Sequence, residues 1–192
     1  LCGKILLACI PAAVAGILFD SVFERLFYHG GTVASALIIF GVGFIVIERW
    51  NKGRSPKMTS VDQLTIPAVL LIGVFQLIAA VFPGTSRSGA TILGALLIGV
   101  SRPAASEFTF YLAVPVMLGA SLLQVLHHGL SFSSQELTVL AAGMVTAFLV
   151  SLAVIRFLMD YVKKHDFQIF GWYRILMGAG VLGLNLLGII QI

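Results

Sequence analysis

The chain has 192 residues, 59% of them hydrophobic and only 10% charged, with a formal net charge of +4. A water-soluble domain carries about 25% charged residues, so this composition excludes a soluble globular protein and describes an integral membrane one. The basic residues flank apolar runs, where they set topology rather than bind a polyanion. No nucleic-acid partner is expected.

The chain starts at Leu1 and turns apolar almost at once. Its apolar runs are too many and too long for a signal peptide, and we expect it to be the remainder of a longer protein. Five runs approach the ~20 residues that cross a bilayer: residues 4–19, 32–47, 104–126, 136–157 and 171–190. In the first, Cys2 and Cys9 share a helix face but lie roughly 10 Å apart by helical rise. That is too far for a disulfide, so both read as packing residues.

The 66–100 region has unequal apolar arms around a Pro-Gly break at Pro83 and Gly84. Charge decides its threading. Arg49, Lys52, Arg54 and Lys57 lie in one loop, and Arg156, Lys163 and Lys164 in a later one. The positive-inside rule places both in the cytoplasm. The two full spans between them are an even number, so 66–100 makes no net crossing. Its short second arm favours a re-entrant hairpin with its tip at 83–89. Lys4, Arg102 and Arg174 then also face the cytoplasm, Arg25 lies outside, and Arg87 lies within the membrane. The outside loops are 20–31 and 127–135. The fold expected is all-α: one polytopic transmembrane domain over 1–192 with a re-entrant hairpin at 66–100. Gly41, Gly43, Gly94, Gly99, Gly178, Gly180 and Gly183 read as helix-contact points.

The hairpin tip reads Pro83-Gly84-Thr85-Ser86-Arg87-Ser88-Gly89-Ala90-Thr91. Pro83 withholds an N–H and Gly84 permits a left-handed turn, so a helix can stop there. Ser86 or Ser88 can cap the helix that follows. Its first amides lack intrahelical acceptors and stand at the positive end of the dipole, which makes an anion site. Arg87 adds a guanidinium shaped for phosphate oxygens. Thr85, Ser86, Ser88 and Thr91 offer hydroxyls, and Thr91 shares a face with Arg87 four residues away. A guanidinium at bilayer depth with no carboxylate in its loop points to function. Gln76 upstream is either a site residue or an interhelical hydrogen bond. Glu107 reads as interfacial, and Asp160 and Asp166 as solvated. His29, His127, His128 and His165 fall in loops without ligand spacing, so no metal-binding residue is assigned.

The segment 73–92, with Gln76 and the Pro-Gly-Thr-Ser-Arg-Ser-Gly-Ala-Thr run, resembles the second signature of the bacterial undecaprenyl-diphosphate phosphatases, the membrane family associated with bacitracin resistance. Ile10-Pro11-Ala12 with Gly16, and residues 105–115, are similar to that family too. The resemblance implies hydrolysis of undecaprenyl diphosphate to undecaprenyl phosphate and inorganic phosphate. This recycles the lipid carrier for peptidoglycan synthesis. It also implies inverted-repeat helices, a divalent metal (Mg or Ca), residence in the bacterial cytoplasmic membrane, and an active site toward the outer face. By resemblance, Arg87, Ser86 and Thr91 are catalytic, and Gly84, Thr85, Ser88, Gly89 and Gln76 bind substrate. The partners are the polyprenyl diphosphate lipid and the bilayer, with a homodimer admitted. The family's other signature has paired glutamates, a serine-rich turn and a histidine, and it is not found here. Asp20 and Glu24 lack the following turn, so its roles are not carried over to them. We expect the metal ligands in an N-terminal part outside this chain and the chain alone to be inactive. On physics alone the rival is a secondary transporter or flippase for phosphate or a lipid phosphate, since broken helices with N-termini at a midplane site serve carriers too.

Overall fold

The computed structural model describes residues 1–128 and 133–188, with the side chains of 17, 20–24, 127 and 128 outside the description. The helices are α1 (Cys2–Phe27), α2 (Gly30–Asn51), α3 (Ile66–Val81), α4 (Arg87–Leu97), α5 (Arg102–His128), α6 (Ser134–Lys164) and α7 (Gln168–Leu186), with a 3-10 turn at Val61–Gln63. Among the described residues, four helices are long and apolar enough to cross a membrane: Gly30–Asn51, Arg102–Leu126, Ser134–Lys164 and Gln168–Leu186. This is a multi-pass, all-helical membrane protein.

Several boundaries differ from those expected. α1 runs on to Phe27 and α2 begins at Gly30, so the expected loop 20–31 shrinks to residues 28 and 29. Arg25 therefore sits in the last turn of α1, where a cation suits the dipole. α6 extends past 157 to Lys164. There Lys163 and Lys164 sit at the negative helix end and prolong it. At its start, Ser133 and Glu136 form a reciprocal capping box, which satisfies two amides at once. Residues 129–132 of the 127–135 loop and 189–190 of the 171–190 span lie outside the described residues, as do the side chains of Asp20, Glu24, His127 and His128.

α3 and α4 are the short arms of a hairpin. Thr65 caps α3, accepting from the Ala68 amide at 3.4 Å, and Pro67 occupies the first turn. There its missing N–H costs nothing. The segments before α3 and after α4 are pinned together. The amides of Lys57 and Met58 donate to Gly99 O, and the Ser101 amide donates to Met58 O at 2.8 Å. Both ends of the hairpin therefore lie side by side, and its loop points away from them.

Water does not drive helix association inside a bilayer, so close packing of small residues does. Gly73 of α3 meets Ala8 of α1 so closely that an added Cβ would lie 2.6 Å from Ala8 O. Gly41 and Gly171 join α2 to α7, and a Cβ added at Gly178 would lie 2.7 Å from Ala34 O. Gly94 lies under the Phe75 ring. Gly43 meets only the Leu93 side chain, and Gly99 is a turn residue with φ +86°. Gly180 and Gly183 have nothing within 4 Å, which corrects their reading as contact points. They lie on α7 beyond Gly178.

Two buried clusters result. One joins α1, α3, α4 and α5 through Ala8, Ile72, Ala95 and Phe108. The other joins α2, α4, α6 and the start of α7 through Phe44, Leu93, Val162 and Phe167. α4 belongs to both, because Ala95 faces one cluster while Leu93 and Leu96 face the other. A short helix buried between two helix groups holds its own N-terminus firmly inside the molecule.

Candidate functional site

The loop between α3 and α4 is built from backbone constraints. α3 stops at Phe82, and Gly84 turns with φ +89°, where an added Cβ would lie 2.6 Å from Val33 O. Both the turn and the approach to α2 require glycine here. Ser86 has φ 64°. A non-glycine residue in that region costs about 1–3 kcal/mol and persists only where its surroundings enforce it.

Ser86 caps α4. Its Oγ accepts from the Gly89 amide at 3.3 Å and lies 3.3 Å from Ser88 Oγ. The expected cap is thus Ser86, with Ser88 supporting it. The amides at the start of α4 have no acceptor within the helix, and the positive end of its dipole opens on the loop. Ser86 and Ser88 are exposed and Arg87 is half-buried, whereas Thr85, Gly89 and Thr91 are buried. Among the described residues no carboxylate pairs with Arg87. Its charge is left for a ligand.

Thr91 plays a different part from the serines. Its hydroxyl lies 3.1 Å from Arg87 O and 3.0 Å from Ser88 O, and it is also 3.0 Å from Thr109 Oγ1 on α5. With one proton given to the main chain, it accepts from Thr109. The hydroxyl is committed to holding the first turn of α4 against α5.

Sequence reasoning missed the second guanidinium. Arg174 of α7 is 9% exposed. Its Nη2 donates to Gly84 O at 2.6 Å and to Thr85 O at 2.5 Å. This corrects its placement with the cytoplasmic charges. It lies about 10 Å along α7 from Phe167 by helical rise, inside the protein and on the loop. Gly89 makes room for it, since a Cβ there would lie 2.8 Å from Arg174 Nη1. A signal was available in the sequence: Arg174 stands in the apolar run 171–190 with no neighbouring charge, the same anomaly that singled out Arg87.

Among the described residues, four buried ones carry polar atoms without a hydrogen-bond partner: Gln76 (both amide atoms), Thr85 Oγ1, Ser106 Oγ and Arg174 Nε. Native structures leave few such groups. Thr85 and Arg174 belong to the loop itself. Gln76, 2% exposed on α3, makes no hydrogen bond with its side chain among the described residues. On the outer flank of the loop, an apolar groove of about 690 Å³ runs between α1, α2 and α3, lined by Phe27, Ile39, Phe40, Ile78 and Phe82 among others. Phe82 directly precedes Pro83, so the groove ends at the loop.

Among the described residues, no three His, Cys, Asp or Glu side chains come together as a metal site. Cys2 is exposed and Cys9 half-buried, both as free thiols, and Cys9 packs on the α1/α3 core as expected. Glu107 is partly exposed and accepts from Tyr111 Oη at 3.0 Å. The site can therefore grip an oxyanion with Arg87, the serine hydroxyls and the α4 amides. Arg174 fixes the loop that presents them.

A family model described as "Bacitracin resistance protein BacA" matches residues 1–180. The chain is 59% identical over 179 residues to "Undecaprenyl-diphosphatase 1" of Clostridium acetobutylicum, covering 93% of this chain and 65% of that protein. It is also 59% identical over 179 residues to "Undecaprenyl-diphosphatase" of Desulfitobacterium hafniense, covering 93% and 64%. An "Undecaprenyl-diphosphatase" of Enterococcus faecalis is 50% identical over 184 residues, covering 94% and 66%. The chain thus spans just under two thirds of the length of these curated relatives.

Proposed function

We propose a function from one premise: the chain belongs to the bacitracin resistance protein BacA family. The function is hydrolysis of undecaprenyl diphosphate to undecaprenyl phosphate and inorganic phosphate in the bacterial cytoplasmic membrane. The observation that carries it is the α3–α4 loop, where Arg87, with no described carboxylate partner, stands at the open N-terminus of a buried helix. Two further features support the substrate class. The relatives are named for this lipid diphosphate, and an apolar groove able to take a prenyl chain ends beside the loop.

Phosphoryl transfer needs positioning and charge neutralisation more than covalent chemistry from the protein. Arg87 binds the diphosphate oxygens bidentately. The α4 amides and the hydroxyls of Ser86 and Ser88 receive the charge that develops as the terminal phosphate departs. Arg174 and the Thr91–Thr109 pair keep these donors in place. The described residues offer no ligand set for a divalent metal. The same proposal includes the inverted-repeat arrangement and the re-entrant threading of α3–α4, with the loop toward the outer face. Basic residues at the other end support that orientation through the positive-inside rule.

The test is Arg87→Lys in the intact protein, assayed by phosphate release from a prenyl diphosphate in detergent. A point charge in place of a bidentate fork lowers turnover at least ~10-fold, equivalent to ~1.4 kcal/mol. Near-wild-type turnover would refute the role of Arg87. A carrier would need a sealed vesicle and would release no phosphate in detergent, so the unsubstituted protein in the same assay separates enzyme from transporter.

A further inference from the structure

A second polar cavity lies at the opposite end of α4. It holds about 230 Å³ and is lined by Glu48, Asn51, Arg54, Lys57, Gly99 and Arg102, among others. At ~30 Å³ per water that is space for about seven waters. The 11 residues of α4 put roughly 16 Å between this cavity and the Arg87 loop, and the two share no residue.

The charges in the lining favour an anion. Its single carboxylate, Glu48, is 2% exposed and fully engaged. Arg102 Nε donates to both its oxygens at 2.9 and 3.0 Å, and the Phe167 amide donates to Oε1 at 3.0 Å. Two main-chain acceptors of the lining are occupied too. Gly99 O accepts the Lys57 and Met58 amides, and Leu96 O accepts Asn51 Nδ2 and the Gly99 amide. What remains is positive. Among the described residues, neither Arg54 nor Lys57 has a carboxylate partner.

Both cations are positioned. Lys57 is held by its amide on Gly99 O at 2.7 Å, and its methylenes lie over Gly99. Arg54 stands 5.1 Å over the Trp50 ring. Trp50 is 56% exposed at the end of an apolar spanning helix, the level at which tryptophan sits among lipid headgroups. Topology alone needs positive charges in this loop, but it does not need them fixed around a cavity whose one carboxylate is already paired.

We propose that this cavity binds a phosphate oxyanion at headgroup level, supplied by an anionic phospholipid or by free phosphate. Basic pockets at the membrane surface recognise anionic headgroups in this way. The inference does not depend on the reaction at the Arg87 loop.

Trp50 is the reporter: Trp172, the other tryptophan of this chain, is replaced by Phe, and the signal assigned to Trp50 is the part that Trp50→Phe removes. The intact protein in uncharged detergent is titrated with short-chain phosphatidylglycerol, with the matching phosphatidylcholine, and with inorganic phosphate. The expected result is a saturable change in Trp50 emission with at least one of the anions. Saturation by phosphatidylglycerol alone identifies a lipid headgroup, by phosphate alone the free ion, and by both the oxyanion itself. Arg54→Gln with Lys57→Gln weakens apparent affinity at least tenfold, whereas Arg87→Ala leaves it unchanged. Should the double variant not survive purification, Lys57→Gln alone gives a partial loss. The proposal is overturned if neither anion gives a saturable change, if phosphatidylcholine matches phosphatidylglycerol, or if the response persists without Arg54 and Lys57. Loss of the response in Arg87→Ala would assign the signal to the loop and overturn it equally. Phosphate release is read separately, so failure here leaves the proposed reaction standing.

Discussion

Replacing Arg174 by alanine removes two charged hydrogen bonds, to Gly84 O and Thr85 O. Bonds with a charged partner contribute about 1.5–3 kcal/mol each, so the loop loses roughly 3–6 kcal/mol of restraint. That restraint opposes the left-handed Ser86 backbone at φ 64°, which costs about 1–3 kcal/mol. Taking the low end of the restraint, ~3 kcal/mol, and tenfold per 1.36 kcal/mol, the population of the competent loop falls about 150-fold. Initial rates of phosphate release from a prenyl diphosphate, measured on the intact protein at saturating substrate, should fall by that order. Arg174→Lys keeps the charge and a donor, and it should fall between the two. Thermal unfolding followed in parallel separates loss of the loop from loss of the fold. If Arg174→Ala retains turnover within threefold of the unsubstituted protein while remaining folded, Arg174 does not hold the loop in its working shape.

Three other outcomes test the packing. Gly84→Ala puts a Cβ 2.6 Å from Val33 O at φ +89°; the left-handed penalty alone is about 1–2 kcal/mol, and activity should drop with a lower melting temperature. Arg102→Ala strands the buried Glu48 carboxylate and should cost about 3–5 kcal/mol of stability, whereas Glu48→Gln, which leaves the partly exposed Arg102 hydrated, should cost less in the same unfolding assay. The reverse order would contradict the assigned burial. Gly178→Ala collides with Ala34 O at 2.7 Å while Gly180→Ala meets open space, so only the first should lower the melting temperature. Overpacking of that kind costs about 1–3 kcal/mol.

Legibility differed from residue to residue. Arg87 was conspicuous because a guanidinium next to a Pro-Gly break in an apolar region has no bland explanation. Ser86 was one of two admissible caps, and only the backbone path decided between them. Arg174 carried the same anomaly as Arg87, but counting charges by loop moved it to the cytoplasm. Depth along a helix is invisible to such a count. Glu48 escaped notice because a glutamate beside Arg49 at a helix end reads as interfacial. Its partners, Arg102 and the Phe167 amide, are 54 and 119 residues away. Gly180 and Gly183 were misread with Gly178, since composition marks a glycine but not the face it occupies.

The sequence by itself determined that the chain is helical, membrane-bound and interrupted at 83–89 by a loop that carries a guanidinium and four hydroxyls with Thr91. Those properties follow from local chemistry: apolar run length, the backbone limits of proline and glycine, and the cost of charge in hydrocarbon. Only the tertiary structure decided which groups meet that loop and which hold it. It brought Arg174, Thr109 and Val33 to it from three other helices and set Glu48 between Arg102 and Phe167. Such pairings depend on the rotation and depth at which helices pack, and in a bilayer these are fixed by close contact between small residues distant in the chain.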